Sequence, residues 1–215
     1  MALDKVYLTD AKGPAVGLSA GDLSDHSLIE ATRAGDEAAF AEIMRRYKGP
    51  IVNFLYRFLN DYEEAVDLAQ ETFVRVYFAI DRYHTEYAFS TYIYRIASNL
   101  AISELRRRKR RRILSLTGLI TGGGDSGDEA SDFQPRDERR LPDELVVDDE
   151  QGRVIAKAIA ALPEKYRLPL ILRDVEGKSY EEVATILELG LGTTKSRISR
   201  ARGLLKDKLK NYISS

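Results

Sequence analysis

Between Ser179 and Leu209, apolar residues recur at helical spacing on both sides of Leu189-Gly190-Leu191-Gly192. A helix, a tight turn and a second helix is the arrangement that buries both stripes. Ser179 is an N-cap, and Glu182 three residues on completes a capping box. Val183, Ala184, Ile186 and Leu187 give the first helix its apolar side. Gly190 and Gly192 mark the turn, where positive φ costs glycine little. Thr193 can cap the second helix, on which Thr194, Ile198, Ala201, Leu205 and Leu209 share one face. Ser196, Ser199 and Arg200 point almost opposite, flanked by Lys195 and Arg202 on one side and Arg197 on the other. One face for burial and one of cations and hydroxyls is how a helix that reads the major groove is built. The same pattern also fits an ordinary helical hairpin with a solvated basic face.

A net charge of −1 argues against a nucleic-acid binder until its distribution is read. Residues 106–112 are all basic, residues 113–150 carry three basic against eleven acidic side chains, and residues 151–215 carry thirteen against seven. An acidic segment is thus flanked by a basic run and a basic C-terminal module. The chain has no cysteine, which excludes disulfides and thiolate zinc sites. No stretch approaches the roughly 20 apolar residues of a membrane span, and the N-terminus lacks a signal-like apolar run, so a cytoplasmic protein is expected.

Residues 1–23 lack an apolar period and read as a mobile tail. Ser24-Asp25 opens a short helix through Leu28, Ile29 and Thr32, closed by Gly35. Asp36 caps the next, with Phe40, Ile43, Met44 and Tyr47 inward, and Gly49-Pro50 is expected to break it before Ile51, Phe54, Leu55 and Phe58. A long helix over about Glu63 to Ile80 turns Ala65, Leu68, Ala69, Phe73, Val76 and Ile80 inward, with Asp67, Gln70, Glu71 and Arg75 outside that stripe. Asp81 to Ala88 reads as a loop holding Tyr83, His84 and Tyr87. A helix from Phe89 to at least Arg108 follows, so residues 24–112 form a compact helical domain.

The run Arg106 to Arg112 fits either a fraying, solvated helix end or sequence-independent phosphate contact. Residues 113–149 have the composition of a self-repelling acidic linker. A second domain, 150–215, opens with a stripe of Val154, Ile155, Ala158, Ile159 and Leu162. Pro163 then starts a helix whose interior Pro169 should kink it or shift its start, and the helix-turn-helix completes four helices. The fold class is all-α, two small helical domains joined by a flexible linker.

Several motifs in order give the chain a family resemblance. Leu162-Pro163-Glu164-Lys165-Tyr166-Arg167, Leu172-Arg173-Asp174, Glu176 to Ala184 and Lys195 to Arg202 resemble region 4 of bacterial sigma factors of the extracytoplasmic-function group. Glu64 to Tyr77 is similar to region 2.2, and Phe89 to Ala101 to regions 2.3 and 2.4. The resemblance covers about 24–112 and 150–210. It implies a factor that binds core RNA polymerase, at the clamp coiled coil of the largest subunit and at the flap, and directs it to −35 and −10 promoter DNA. By that likeness Lys195, Ser196, Ser199 and Arg200 face the −35 major groove, while Arg173, Arg197 and Arg202 contact phosphates or pair structurally. Asp67, Leu68, Gln70, Glu71 and Phe73 fall on the polymerase-binding motif; from the residues alone, the polar ones also fit a solvated acidic face. Tyr83, Tyr87, Tyr92, Tyr94, Arg95, Asn99, Arg106 and Arg107 fall on the −10-melting motifs. Stacking on tyrosine is one way to recover the cost of unpairing bases, though Tyr92 and Tyr94 equally fit a core. The acidic linker would thread the polymerase cleft, and family members are often held by an anti-sigma factor. The family usually has an aliphatic residue at 194, often proline at 190, and commonly tryptophan at 92, where this chain has Thr, Gly and Tyr; these departures bear on which promoter is read.

The resemblance implies no cofactor, no metal and no small-molecule substrate. Two histidines, no cysteine and no phosphate loop after a strand argue against an enzyme. The rival reading is a stand-alone helix-turn-helix regulator with a helical effector domain, which accounts for 150–210 but not for the ordered N-terminal motifs.

Overall fold

The computed structural model describes residues 23–83, 87–120 and 150–213, all helices and turns. The tail assigned to 1–23 (apart from Leu23), His84 and the linker from 121 to 149 lie outside the described residues. The first module comprises α1 (Asp25–Arg33), α2 (Glu37–Leu59), α3 (Tyr62–Ala79) and α4 (Phe89–Ile120). The second comprises α5 (Glu150–Ala160), α6 (Glu164–Leu170), α7 (Tyr180–Leu187) and α8 (Leu191–Ile213).

The helix starts follow their caps. The Ser24 side chain accepts from Ser27 N–H, Asp36 from Ala38 and Ala39, and Asp61 from Glu64. Gly35 closes α1 at φ +93°, and Asn60 ends α2 in the left-handed region at φ 56°. The expected break at Gly49-Pro50 is absent: α2 runs through Pro50 without interruption. A proline in a helix interior costs about 3 kcal/mol. Ile43 before it and Ile51, Phe54, Leu55 and Phe58 after it are all buried on one core, and each contributes about 1.5–3 kcal/mol only if the helix stays whole. Met44 and Ile155, expected inward, are exposed.

Two further boundaries differ from the sequence reading. α4 continues past 112 to Ile120. Between α3 and α4, Ile80–Arg82 forms a single 3₁₀ turn, where a loop was expected from Asp81. Arg33 ties this turn down by donating to the Ile80 carbonyl at 2.9 and 3.1 Å and to that of Tyr83.

In the second module Pro163 stands just before the first turn of α6. Pro169 cannot donate to the carbonyl of Lys165, and the helix widens into a π turn over Ile171–Val175, closed by Glu176 N–H on the Ile171 carbonyl at 2.9 Å. The left-handed residue of the helix-turn-helix is Glu188, at φ 52°, not Gly190 or Gly192. Chain reversal completes at the end of α7, where Leu189 N–H bonds the Ala184 carbonyl at 2.9 Å. The first backbone bond of α8 runs from Thr194 N–H to Gly190, so Gly190 is the cap and Thr193 lies inside the first turn. Thr194 is fully buried, and its hydroxyl donates to the Gly190 carbonyl at 3.2 Å, which satisfies the polar atom in the packed turn.

Candidate functional site

Three surfaces carry the candidate residues. The first is α8. Thr194, Ile198 and Ala201 are fully buried against α6 and α7, which turns Lys195, Ser196, Ser199 and Arg200 outward, all exposed. Ser196 Oγ donates to the Thr193 carbonyl at 2.9 Å. Arg200 hydrogen-bonds the Tyr166 phenol and holds it below its ordinary range. Arg197 is half-buried. The remaining two arginines are engaged inside the module. Arg202 grips Asp174 with two nitrogens, at 2.6 and 2.9 Å, a fork that holds its guanidinium above its ordinary range. Arg173 donates to the Lys178 carbonyl at 2.7 Å and lies 4.7 Å from the Tyr180 ring centre, strapping the turn that precedes α7. Of the two roles left open for Arg173 and Arg202, pairing is the one observed.

The second surface is a cavity of about 220 Å³ beside the start of α4, lined by Arg82, Tyr83, Tyr87, Thr91, Tyr92, Arg95 and Thr185. It brings together four of the eight residues assigned to −10 recognition. Tyr92 is half-buried, with its ring centre 5.1 Å from that of Tyr83 and the Arg95 guanidinium 5.7 Å away. Burial pushes the Tyr92 phenol up, so it remains a donor. Tyr87 is exposed. Tyr83 reaches the cavity wall from the core: it is 6% exposed, packs edge-on against Phe89, and donates its hydroxyl to the Tyr87 carbonyl at 2.6 Å. Tyr94 is a correction. It is 4% exposed, is not part of the cavity lining and donates its hydroxyl to Glu176, so no base reaches it in this arrangement. Asn99 is exposed but lies further along α4, outside the cavity lining.

The basic run divides by face. Glu104 is buried and takes Arg107 at 2.5 Å, Arg111 at 3.1 Å and Arg108 at 3.7 Å, and Arg108 also meets Asp61 at 3.0 Å and Glu64. Arg107, assigned to DNA, and Arg108 staple α4 to the start of α3 through Glu64, while Arg111 pairs within α4. Arg106, Lys109 and Arg110 face the other way, lining a shallow groove with Ser103 and Ile113.

The third surface is α3. Asp67 and Gln70 are exposed, Glu71 pairs with Arg75 at 2.7 Å, and Leu68 is half-buried against the core. Phe73 is a correction: it is buried in the core and has no surface to offer a partner. The sequence reading missed Val74 and Phe78, which continue the Gln70 face at helical spacing and are exposed, Phe78 by 80%. Their lying off the inner stripe is the signal that marks them. It also missed Thr91, Glu176 and Glu182, whose partners lie far along the chain.

Known proteins match both modules. The Sigma-70 region 2 family matches residues 43–111, and the Sigma-70, region 4 family matches residues 152–205. The ECF RNA polymerase sigma factor SigW of Bacillus subtilis is 36% identical over 183 residues, 85% of this chain and 95% of its own. The RNA polymerase sigma-H factor of Pseudomonas aeruginosa is 36% identical over 179 residues, 83% and 90% of the two chains. Among solved structures, CnrH in complex with the cytosolic domain of CnrY aligns with a TM-score of 0.62 at 22% identity, over 87% of this chain and 97% of that one. RpoE of Bartonella quintana, in complex with the anti-sigma factor NepR, aligns with a TM-score of 0.58 at 23% identity, over 80% and 96%. At such identities these two speak to the fold.

Proposed function

Because the chain belongs to the extracytoplasmic-function family of RNA polymerase sigma factors, we propose that its two modules divide a promoter between them. The factor directs polymerase to promoters and starts transcription. Residues 150–215 read the −35 duplex through Lys195, Ser196, Ser199 and Arg200. Residues 24–112 bind the polymerase clamp through Asp67, Gln70 and Glu71, with Val74 and Phe78 extending that face. The cavity of Tyr87, Tyr92 and Arg95 takes a base of the melted −10 strand. Arg106, Lys109 and Arg110 follow phosphates. The polymerase does the chemistry, and the factor works in the cytoplasm with it. A cognate anti-sigma factor is a further expected partner, since RpoE was solved with one.

The observation that carries this reading is the sorting of cations around α8: Arg202 on it and Arg173 in the π turn, the two that could blur recognition, are tied back, while the outward face of α8 stays free of ion pairs among the described residues. Reconstituted transcription tests it, with purified core polymerase, fragmented genomic DNA and sequencing of transcript 5′ ends. Discrete starts that require this chain and vanish with Arg200→Ala or Asp67→Ala are expected. Absence of both starts and core binding, with specific duplex binding by the chain alone, would favour the stand-alone regulator. Deleting about 120–145 is expected to impair initiation and spare core binding, the outcome for an acidic strand in a basic channel.

A further inference from the structure

A cavity that tells one base from another must hold its walls to within about half an ångström. Two aromatic walls of the −10 cavity, Tyr83 and Tyr87, stand on the connection between α3 and α4 and not on a helix. Connections of this kind are ordinarily more mobile than the helices they join. Here one is tied from outside. Arg33, the last residue of α1, donates to the Ile80 carbonyl from Nε at 3.1 Å and from Nη2 at 2.9 Å. Nη2 also donates to the Tyr83 carbonyl. The remaining nitrogen, Nη1, meets Glu30 at 2.6 Å.

The tie answers a local need. The last carbonyls of a helix lack partners within it and favour a nearby cation, and α3 carries no basic residue in its last turn. α1 supplies the cation that α3 lacks. From Tyr83 the constraint passes on. Its N–H bonds the Ile80 carbonyl at 3.2 Å, and its hydroxyl donates to the Tyr87 carbonyl at 2.6 Å. One residue is therefore pinned at both edges, by its carbonyl to Arg33 and by its phenol to Tyr87. Its ring centre stands 5.1 Å from that of Tyr92 and 5.7 Å from that of Phe89. Tyr87 and Tyr92 thus take their places beside a residue that Arg33 holds. Arg33 itself is not part of the cavity lining.

We propose that Arg33 is a positioning residue for −10 recognition: its fork on the Ile80 and Tyr83 carbonyls sets the cavity that selects a base, without touching the base. The inference rests on the assignment of the cavity to the −10 strand. A guanidinium suits the task because its nitrogens lie fixed in one plane and reach two carbonyls at once. A lysine ammonium on its flexible stem does not reproduce that fork.

The test uses the full chain bound to core polymerase and a single-stranded DNA library of random sequence, with the bound fraction sequenced. The base taken by the cavity is the position of the selected motif whose preference collapses with Tyr92→Ala. Arg33→Ala is expected to cut the preference at that same position from about tenfold to about twofold, and to leave the other positions as they are. Arg33→Lys should give an intermediate preference. Glu30→Ala, which frees Nη1 and keeps both carbonyl bonds, should give the full one. A loss spread evenly over all positions, the mark of a merely destabilised fold, overturns the inference. Where the alanine variant does not fold, Arg33→Lys decides, and a full preference with lysine overturns the role of the fork. If Tyr92→Ala alters one position and Arg33→Ala does not, the assignment of the cavity stands and the inference alone falls. If Tyr92→Ala alters no single position, the cavity is not a base site, and the inference falls with that assignment.

Discussion

Tyr94 and Glu176 are bonded across the junction of the two modules, phenol to carboxylate at 2.6 Å. Burial, and then the Glu176 charge, push the Tyr94 phenol above its ordinary range, so it stays a donor at any physiological pH. Tyr94→Phe removes the bond and leaves Glu176 with Arg57. The expected cost is about 1–2 kcal/mol in denaturant unfolding.

On α8, neighbouring arginines should behave oppositely. Arg200→Ala is expected to weaken −35 duplex binding tenfold or more with the melting temperature unchanged, since a base contact is worth about 1–3 kcal/mol. Arg202→Ala breaks its pair with Asp174, which is partly exposed on both sides. It should cost under about 1 kcal/mol of stability and leave sequence preference intact. Duplex titration and thermal melting of the two variants separate the roles.

Along the basic run, a salt titration should sort residues by face. Replacing Arg106, Lys109 or Arg110 by alanine is expected to reduce the salt dependence of nucleic-acid binding by nearly one counterion each. Replacing Arg107, Arg108 or Arg111 should leave that slope almost unchanged and lower the melting temperature, because each bonds the buried Glu104.

Glu42 sets an acid limit on the first module. Hydrogen bonds from Arg45 and then Arg46 lower its carboxyl from an ordinary 4.5 to about 2. A carboxyl depressed by folding stabilises the native state fully above its unfolded value and loses that contribution as pH falls through the folded one. Stability should therefore decline between about pH 4.5 and 2. Glu42→Gln should flatten the decline in that window, as read by urea midpoints against pH.

On α3, Asp67→Ala is expected to weaken core-polymerase association and leave the melting temperature in place. Phe73→Ala should do the reverse in origin, losing about 3–5 kcal/mol of stability, with any binding loss following from unfolding. Pull-down of core polymerase alongside calorimetry distinguishes the two.

What the sequence revealed was local. Ser24, Asp36 and Ser179 announced helix starts because a cap and its N–H groups are a few residues apart. The α8 stripe of Thr194, Ile198 and Ala201 was legible because helical period fixes a face. The misreadings share a different cause. Pro50 argues for a break on local grounds, and burial of the apolar residues around it overrides that. Phe73 lies on the inward stripe of α3 and is buried there, whereas Tyr94 carries the chemistry expected of a contact residue yet is buried and bonded to Glu176, distant in sequence. Arg107 looked like its neighbours until Glu104 and Glu64 divided the run. Nothing near Glu176, which reads as the start of a turn, signals Arg57 or Tyr94, more than eighty residues away.

The π turn at Ile171–Val175 makes this region sensitive to counting as well as to chemistry. Each residue of an α-helix advances the chain by about 100° and 1.5 Å. A single deletion within the turn would restore ordinary winding and swing everything after it out of phase. Asp174 would then miss Arg202 and Glu176 would miss Tyr94, though every side chain involved was still present. The segment should thus accept changes of residue far more readily than changes of length, and a library scored for insertions and deletions would find it a narrow, intolerant notch between tolerant neighbours.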